Sequence, residues 1–229
     1  MKYCFYRMSV DSGFAPNPYY GYCTLAACTP NHMRANLEPG DVIVGVESDG
    51  LIRRRRQLLG PDTTEARCLI YYLPIAELLD LDSYFRDSRF TRKKPEPDSR
   101  SFARRTDDNV YFQDGHRGLR SVPGNPHDNP EQRRQDIRGD RVYISEKDEF
   151  SYFGDAEVPL PQAFERYLPK GHGIRYHRQR LPALDRYVRE ASERMGKPGR
   201  IGQPIGRALE ANCERPSTAS CKPVKSTTC

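Results

Sequence analysis

Most of the core-forming capacity of this chain lies in three short apolar runs. Residues 2–10 (KYCFYRMSV), 41–48 (DVIVGVES) and 67–75 (RCLIYYLPI) are rich in β-branched and aromatic side chains and read as strands. The third is apolar without alternation, which predicts burial on both faces. Long polar stretches separate them, and no long helix recurs between successive strands, so a doubly wound parallel sheet is not expected. The order is strand, long loop, short helix, strand, strand, helical and irregular insertions, then a hairpin. It predicts an α+β fold: a small, mainly antiparallel, partly closed β-barrel decorated by helices and long irregular insertions.

The rest of the chain offers few core segments. Apolar residues are only 36% of the 229, against 30% charged. Residues 23–40 have room for a short helix before Pro39-Gly40, and residues 76–90 for one or two more. From 91 to 140 only seven of fifty residues are large and apolar, so this stretch is expected as a surface insertion with one strand at 109–112. RVYISEKDEFSYFG predicts a hairpin over 142–153. Leu181, Leu184, Val188, Ala191 and Met195 recur at helical spacing, with Gly196 as a stop. The expected domain is therefore 1–196, followed by a flexible tail, 197–229, rich in Gly, Pro, Ser, Thr and Lys. No window approaches the length of a membrane span, and no apolar signal core follows Met1, so a cytoplasmic location is expected. Seven cysteines without a CxxC pair read as free thiols.

Charge is unevenly placed. The chain carries a net +6, and Arg53, Arg54, Arg55 and Arg56 form an unbroken run. Between residues 86 and 105, eight basic residues stand against three acidic ones, a net +5. Arg53 to Arg56, with Arg92, Lys93 and Lys94, are candidate phosphate ligands. The alternative is a solvated, arginine-rich loop.

The first loop, DSGFAPNPYYGYCTLAAC, starts at Asp11 and lies between the first two strands. Pro16 and Pro18 fix two backbone angles around Asn17. An amide can pair with a base edge, and aromatic rings can meet its face. Phe14, Asn17, Tyr19 and Tyr20 are accordingly candidate base contacts. Phe14 and Tyr22 could equally be core anchors, with Asn17 satisfying a turn. Asp11, Cys23 and Thr24 are candidate catalytic groups if the protein is an enzyme. Asp107, Asp108 and Asp114 form an acidic group whose spacing specifies no role. Cys23 with Cys28, and His172 with His177, are weak metal spacings, and no metal site is expected. Phosphate-loop, GxGxxG, HExxH and GxSxG signatures are missing, and no cofactor is specified.

These motifs together resemble the second family of nucleotide-modification-associated domains. The resemblance is carried by GFAPNP after Asp11, CTLAAC, the GDVIVG strand, DSRF at 87–90, KKP at 93–95, DNVY at 108–111, RVYIS at 141–145 and YFG at 152–154. It extends in order from residue 1 to about 178; the RRRR run and the C-terminal part depart from it. It implies a part in systems that modify bases, often in phages or mobile elements. The strand order also looks like PUA-related domains of the EVE and ASCH groups, small barrels whose pocket accepts a base.

Three functions follow as expectations. The first is recognition of a nucleobase or modified base in DNA or RNA, with the base held by loop 11–24 and the backbone by the basic segments. The second is an enzyme transferring or removing a group on a nucleotide base. The third is a basic protein-interaction module. The partner expected is a nucleic acid or nucleotide, not a membrane.

Overall fold

The computed structural model describes residues 1–27, 32, 35–171 and 173–207. Along the chain the elements are β1 (Tyr3–Met8), β2 (Thr24–Leu25), β3 (Val42–Glu47), α1 (Asp49–Leu59), β4 (Cys68–Pro74), β5 (Glu77–Leu79), α2 (Leu81–Arg86), a 3-10 segment (Ser88–Lys93) and α3 (Phe102–Arg105). There follow β6 (Tyr111–Gln113), β7 (Leu119–Ser121), α4 (Pro130–Ile137), β8 (Val142–Ile144), β9 (Ser151–Tyr152), β10 (Val158–Pro159), α5 (Gln162–Glu165), β11 (Ile174–His177), α6 (Pro182–Arg194) and β12 (Gly199–Arg200).

The three apolar runs become β1, β3 and β4, adjacent in one sheet of order β11-β1-β3-β4-β9-β12, with β10 also on β4. β1 and β3 are parallel, with Tyr3 opposite Val42, as are β9 and β12; the other pairs are antiparallel. The sheet is buried on both faces. Tyr3, Phe5, Val42, Val44 and Val46 face one apolar cluster, covered by Leu184, Val188 and Ala191 of α6. Cys4, Met8, Ile43, Ile70 and Leu73 face a second, shared with Tyr143 of β8. Each fully buried Leu or Val side chain contributes about 1.5–3 kcal/mol, so α6 is held by its apolar stripe. Gly45 is fixed by packing: a Cβ there would overlap the Tyr71 ring, where the register with β4 shifts.

The fold is α+β and mainly antiparallel, but no closed barrel is found among the described residues; β11 and β12 lie at the two edges of the main sheet. The hairpin expected over 142–153 does not form. β8 joins β2 and β5 in a separate three-stranded sheet, while β9 pairs with β4 and β12. Val142 and Ile144 then face a third cluster with Phe14, Tyr84, Phe90, Val110 and Tyr111. The stretch 91–140 is more regular than expected: it contains α3, the β6–β7 hairpin and α4. The short helix expected in 23–40 falls mostly on positions outside the described residues.

The arginine run lies on a helix, not a loop. Ser48 caps α1 by accepting from the Leu51 N–H, with Asp49 in the first turn. The C-terminal segment also differs from expectation. Gly199–Arg200 forms β12, and residues 201–206 are bonded to the domain. Ile201 N and Gly202 N donate to the Tyr152 carbonyl, Asp155 N donates to the Gln203 carbonyl (2.9 Å), and Ile205 is buried. Gly202 lies so close to the Phe153 carbonyl that no side chain fits. Residues 208–229 lie outside the described residues. Among the described residues no helix is long and apolar enough to cross a membrane.

Candidate functional site

The first loop closes on itself through two backbone hydrogen bonds. Asn17 N donates to the Thr24 carbonyl (2.8 Å), and Thr24 N donates to that of Asn17 (3.0 Å). This leaves Tyr19, Tyr20 and Gly21 at the tip. Asn17 is fully buried and its amide is occupied. Its Nδ2 donates to the carbonyls of Gly13 (3.0 Å) and Thr106 (3.2 Å), and its Oδ1 accepts from Lys93 Nζ (2.5 Å) and Tyr19 N (3.3 Å). Lys93, also buried, adds a bond to the Asn17 carbonyl (3.1 Å).

Beside Lys93 lie two buried carboxylates. Asp108 accepts from Thr24 Oγ1 (2.7 Å) and the Tyr84 hydroxyl (2.7 Å). Asp107 accepts from the Tyr20 hydroxyl (3.0 Å) and lies 3.4 Å from Asn17 Nδ2. Burial pushes both carboxyls up, Asp107 to about 7, against the opposing pull of the Lys93 ammonium. The same burial pushes the Lys93 amine down. Cys23 lies in the same region. Burial raises its thiol well above the ordinary range, so it is protonated at neutral pH.

Joined to this polar group through Tyr19 and Tyr20 is a cleft of about 480 Å³. Tyr19 and Tyr20 form one wall. Arg100 and Arg105, with residues 101–103 between them, form a second. Arg200, Gln203 and Arg207 of the C-terminal segment form the third. Among the described residues, four guanidinium groups line the cleft and no carboxylate does. Tyr20 takes a φ of +59°, a left-handed conformation that costs an aromatic residue about 1–2 kcal/mol. Its bond to Asp107 and the Arg92 guanidinium over its ring, at 4.5 Å, hold it there. Arg200 sits over the Tyr19 ring at 5.4 Å. The buried Tyr19 hydroxyl has no hydrogen-bond partner among the described residues.

Asp11 ties the C-terminal wall to the domain. Its carboxylate accepts from Ile205 N (3.0 Å) and from the Tyr152 hydroxyl, and its carbonyl accepts from Gly206 N (2.8 Å). Burial pushes this carboxyl up to about 6.

Of the candidate site residues named in the sequence, only Tyr19 and Tyr20 line the cleft, joined there by Arg100 and Arg105 of the basic 86–105 segment. Phe14 is buried against His127, with ring centres 4.5 Å apart, and Asn17 is enclosed, so neither can meet an incoming base in this conformation. Asp11, Cys23 and Thr24 are buried as well. Arg55 is fully buried, paired with Glu47 (2.7 Å) and Glu157, and Arg56 pairs with Glu65 (2.7 Å). None of Arg53 to Arg56 lines the cleft, and neither do buried Lys93 or Lys94, whose ammonium lies over Phe85 at 3.9 Å. The sequence reading missed Arg200, Gln203 and Arg207 because they lie in a Gly- and Pro-rich stretch. The signal available there was Ile201 and Ile205, two apolar residues in an otherwise polar run. Cys28 and His172 lie outside the described residues; among those described, no group of three metal-ligating side chains is found.

No curated protein and no solved structure matches the chain at a significant level. One family model does, and its match reaches beyond the resemblance visible by eye, to take in the C-terminal wall. The chain belongs to the family of nucleotide modification associated domain 2, whose model matches residues 1–210 and so includes every wall of the cleft from Tyr19 to Arg207.

Proposed function

We propose that the cleft recognises a nucleotide within a nucleotide-modification system, with phosphate held by Arg100, Arg105, Arg200 and Arg207 and the base or sugar against Tyr20. The observation that carries this reading is the lining itself: among the described residues, four cations, two phenol rings and no carboxylate in one cavity. Guanidinium forks match phosphate oxygens, and aromatic faces accept a base. The volume falls within the range of about 300–1,000 Å³ typical of small-molecule sites. Family membership points to the same ligand class. Discrimination between plain and modified bases then belongs to the loop tip, not to Asn17.

The test is calorimetric titration of the full chain with mononucleotides and short oligonucleotides at low salt. Tyr20→Ala should weaken binding by about tenfold or more, the range of a lost base–aromatic stack. If neither nucleotides nor oligonucleotides bind, the reading is wrong.

One contact favours a second reading, catalysis. The Tyr20 hydroxyl on the cleft wall donates to Asp107, a carboxyl pushed up to about 7, so the pair is suited to proton transfer at neutral pH. Mass spectrometry of nucleosides from cells with and without the gene would show a modified base only if chemistry occurs.

A further inference from the structure

This inference rests on the nucleotide reading of the cleft and names the form of the ligand. Elsewhere the chain pairs many of its arginines. Arg55, Arg67, Arg86, Arg89, Arg104 and Arg120 each have a carboxylate within 4 Å. In the cleft, Arg100, Arg200 and Arg207 have none among the described residues. Arg105 directs Nη1 to the Ser99 carbonyl (2.6 Å) and also faces the cavity.

So much positive charge within about 480 Å³ sets a condition on the ligand. A polynucleotide strand places its phosphates singly, about one charge per 3.4 Å of rise, and is normally held along a groove that tracks the backbone. A half-open cleft of this volume has room for one small molecule rather than for a length of strand. A phosphodiester there would leave most of the guanidinium charge unmatched, whereas a polyphosphate chain concentrates several charges at one end of a nucleoside. We propose that the cleft takes a free nucleoside di- or triphosphate, with the phosphate chain among Arg100, Arg200 and Arg207 and the nucleoside at Tyr20, in preference to a nucleotide within a nucleic-acid strand. In a modification system such a ligand is a monomer handled before or apart from polymerisation.

The test uses the intact chain, without divalent cations, in parallel calorimetric titrations. The ligands are nucleoside mono- and triphosphates of each common base, inorganic triphosphate, and a short single-stranded oligonucleotide. The triphosphate of the preferred base should bind about tenfold or more tightly than its monophosphate, and more tightly than either the oligonucleotide or inorganic triphosphate. Arg207→Ala should narrow the gap between tri- and monophosphate. The wild-type comparison decides the matter even if that variant fails to fold. Tighter binding of the oligonucleotide, with no gain from added phosphates, overturns this inference but leaves the nucleotide reading standing. Equal binding of inorganic triphosphate overturns it too, by removing the nucleoside. Absence of binding by every nucleotide and oligonucleotide overturns both.

Discussion

Asn17 joins three pieces of chain: its own loop, the Ser88–Lys93 segment and the backbone at Thr106. Its most demanding partner is Lys93, a buried ammonium whose hydrogen bonds both end on Asn17. Removing the side-chain oxygen leaves that ammonium with one hydrogen bond in a poorly solvated site, where a missing partner for a charged group costs several kcal/mol. Asn17→Ala is therefore expected to destabilise the protein by about 2–4 kcal/mol, read from urea unfolding. A residue that only read bases would behave differently, changing ligand preference while stability moved by less than about 1 kcal/mol. The loop's rigidity and amide were readable in GFAPNP; the direction of the amide was not. It depends on Lys93 and Asp107, 76 and 90 residues away, and no local pattern reports such distant partners.

The C-terminal segment is the element that turns an open surface into a three-walled cleft, and Asp11 is its anchor. The Asp11 carboxyl is raised from 3.8 to about 6 in the folded protein, chiefly by burial. Between these values the folded state holds more protons than the unfolded one, so this group's contribution to stability falls as pH rises from about 4 to about 6 and is constant above. Asp11→Asn removes the ionisation, and it also leaves one of the two donors, Tyr152 or Ile205, facing an amide NH₂. The variant should be less stable than wild type at pH about 4, and the deficit should shrink as pH approaches about 7. Urea unfolding of both proteins across this range checks it; a difference that does not vary with pH would remove Asp11 titration from the account. β1, β3, β4 and α6 could be read from sequence because their apolar residues have a regular period. α1 could not, because its inward face includes Arg55, neutralised by Glu47 and Glu157, and a buried ion pair looks like surface charge in sequence. Residues 199–207 escaped for the opposite reason. They pack through glycine backbone and two isoleucines, with almost no periodic signal.

At the level of the whole molecule, two sources of attraction for an anion have to be separated: the net charge of +6 and the local set of cleft arginines. The sequence made the most conspicuous basic feature the Arg53–Arg56 run, but α1 uses part of that charge internally: Arg55 is sealed in its ion pairs and Arg56 meets Glu65. Arg53 and Arg54 on the same helix contribute to the overall field yet do not line the cavity. A diffuse field acts over about a Debye length and is screened as salt rises, whereas a guanidinium in direct contact with phosphate loses binding energy whatever the ionic strength. Arg53→Ala combined with Arg54→Ala should therefore weaken nucleotide binding slightly at about 0.05 M salt and not measurably at about 0.5 M. Arg100→Ala should cost about tenfold or more at both, because a charged hydrogen-bonding partner is lost along with its long-range charge. Calorimetry or fluorescence anisotropy on the three proteins at the two salt concentrations separates the cases. If the α1 double variant loses as much affinity as Arg100→Ala at high salt, the phosphate site lies on α1 and the cleft is not where the ligand binds.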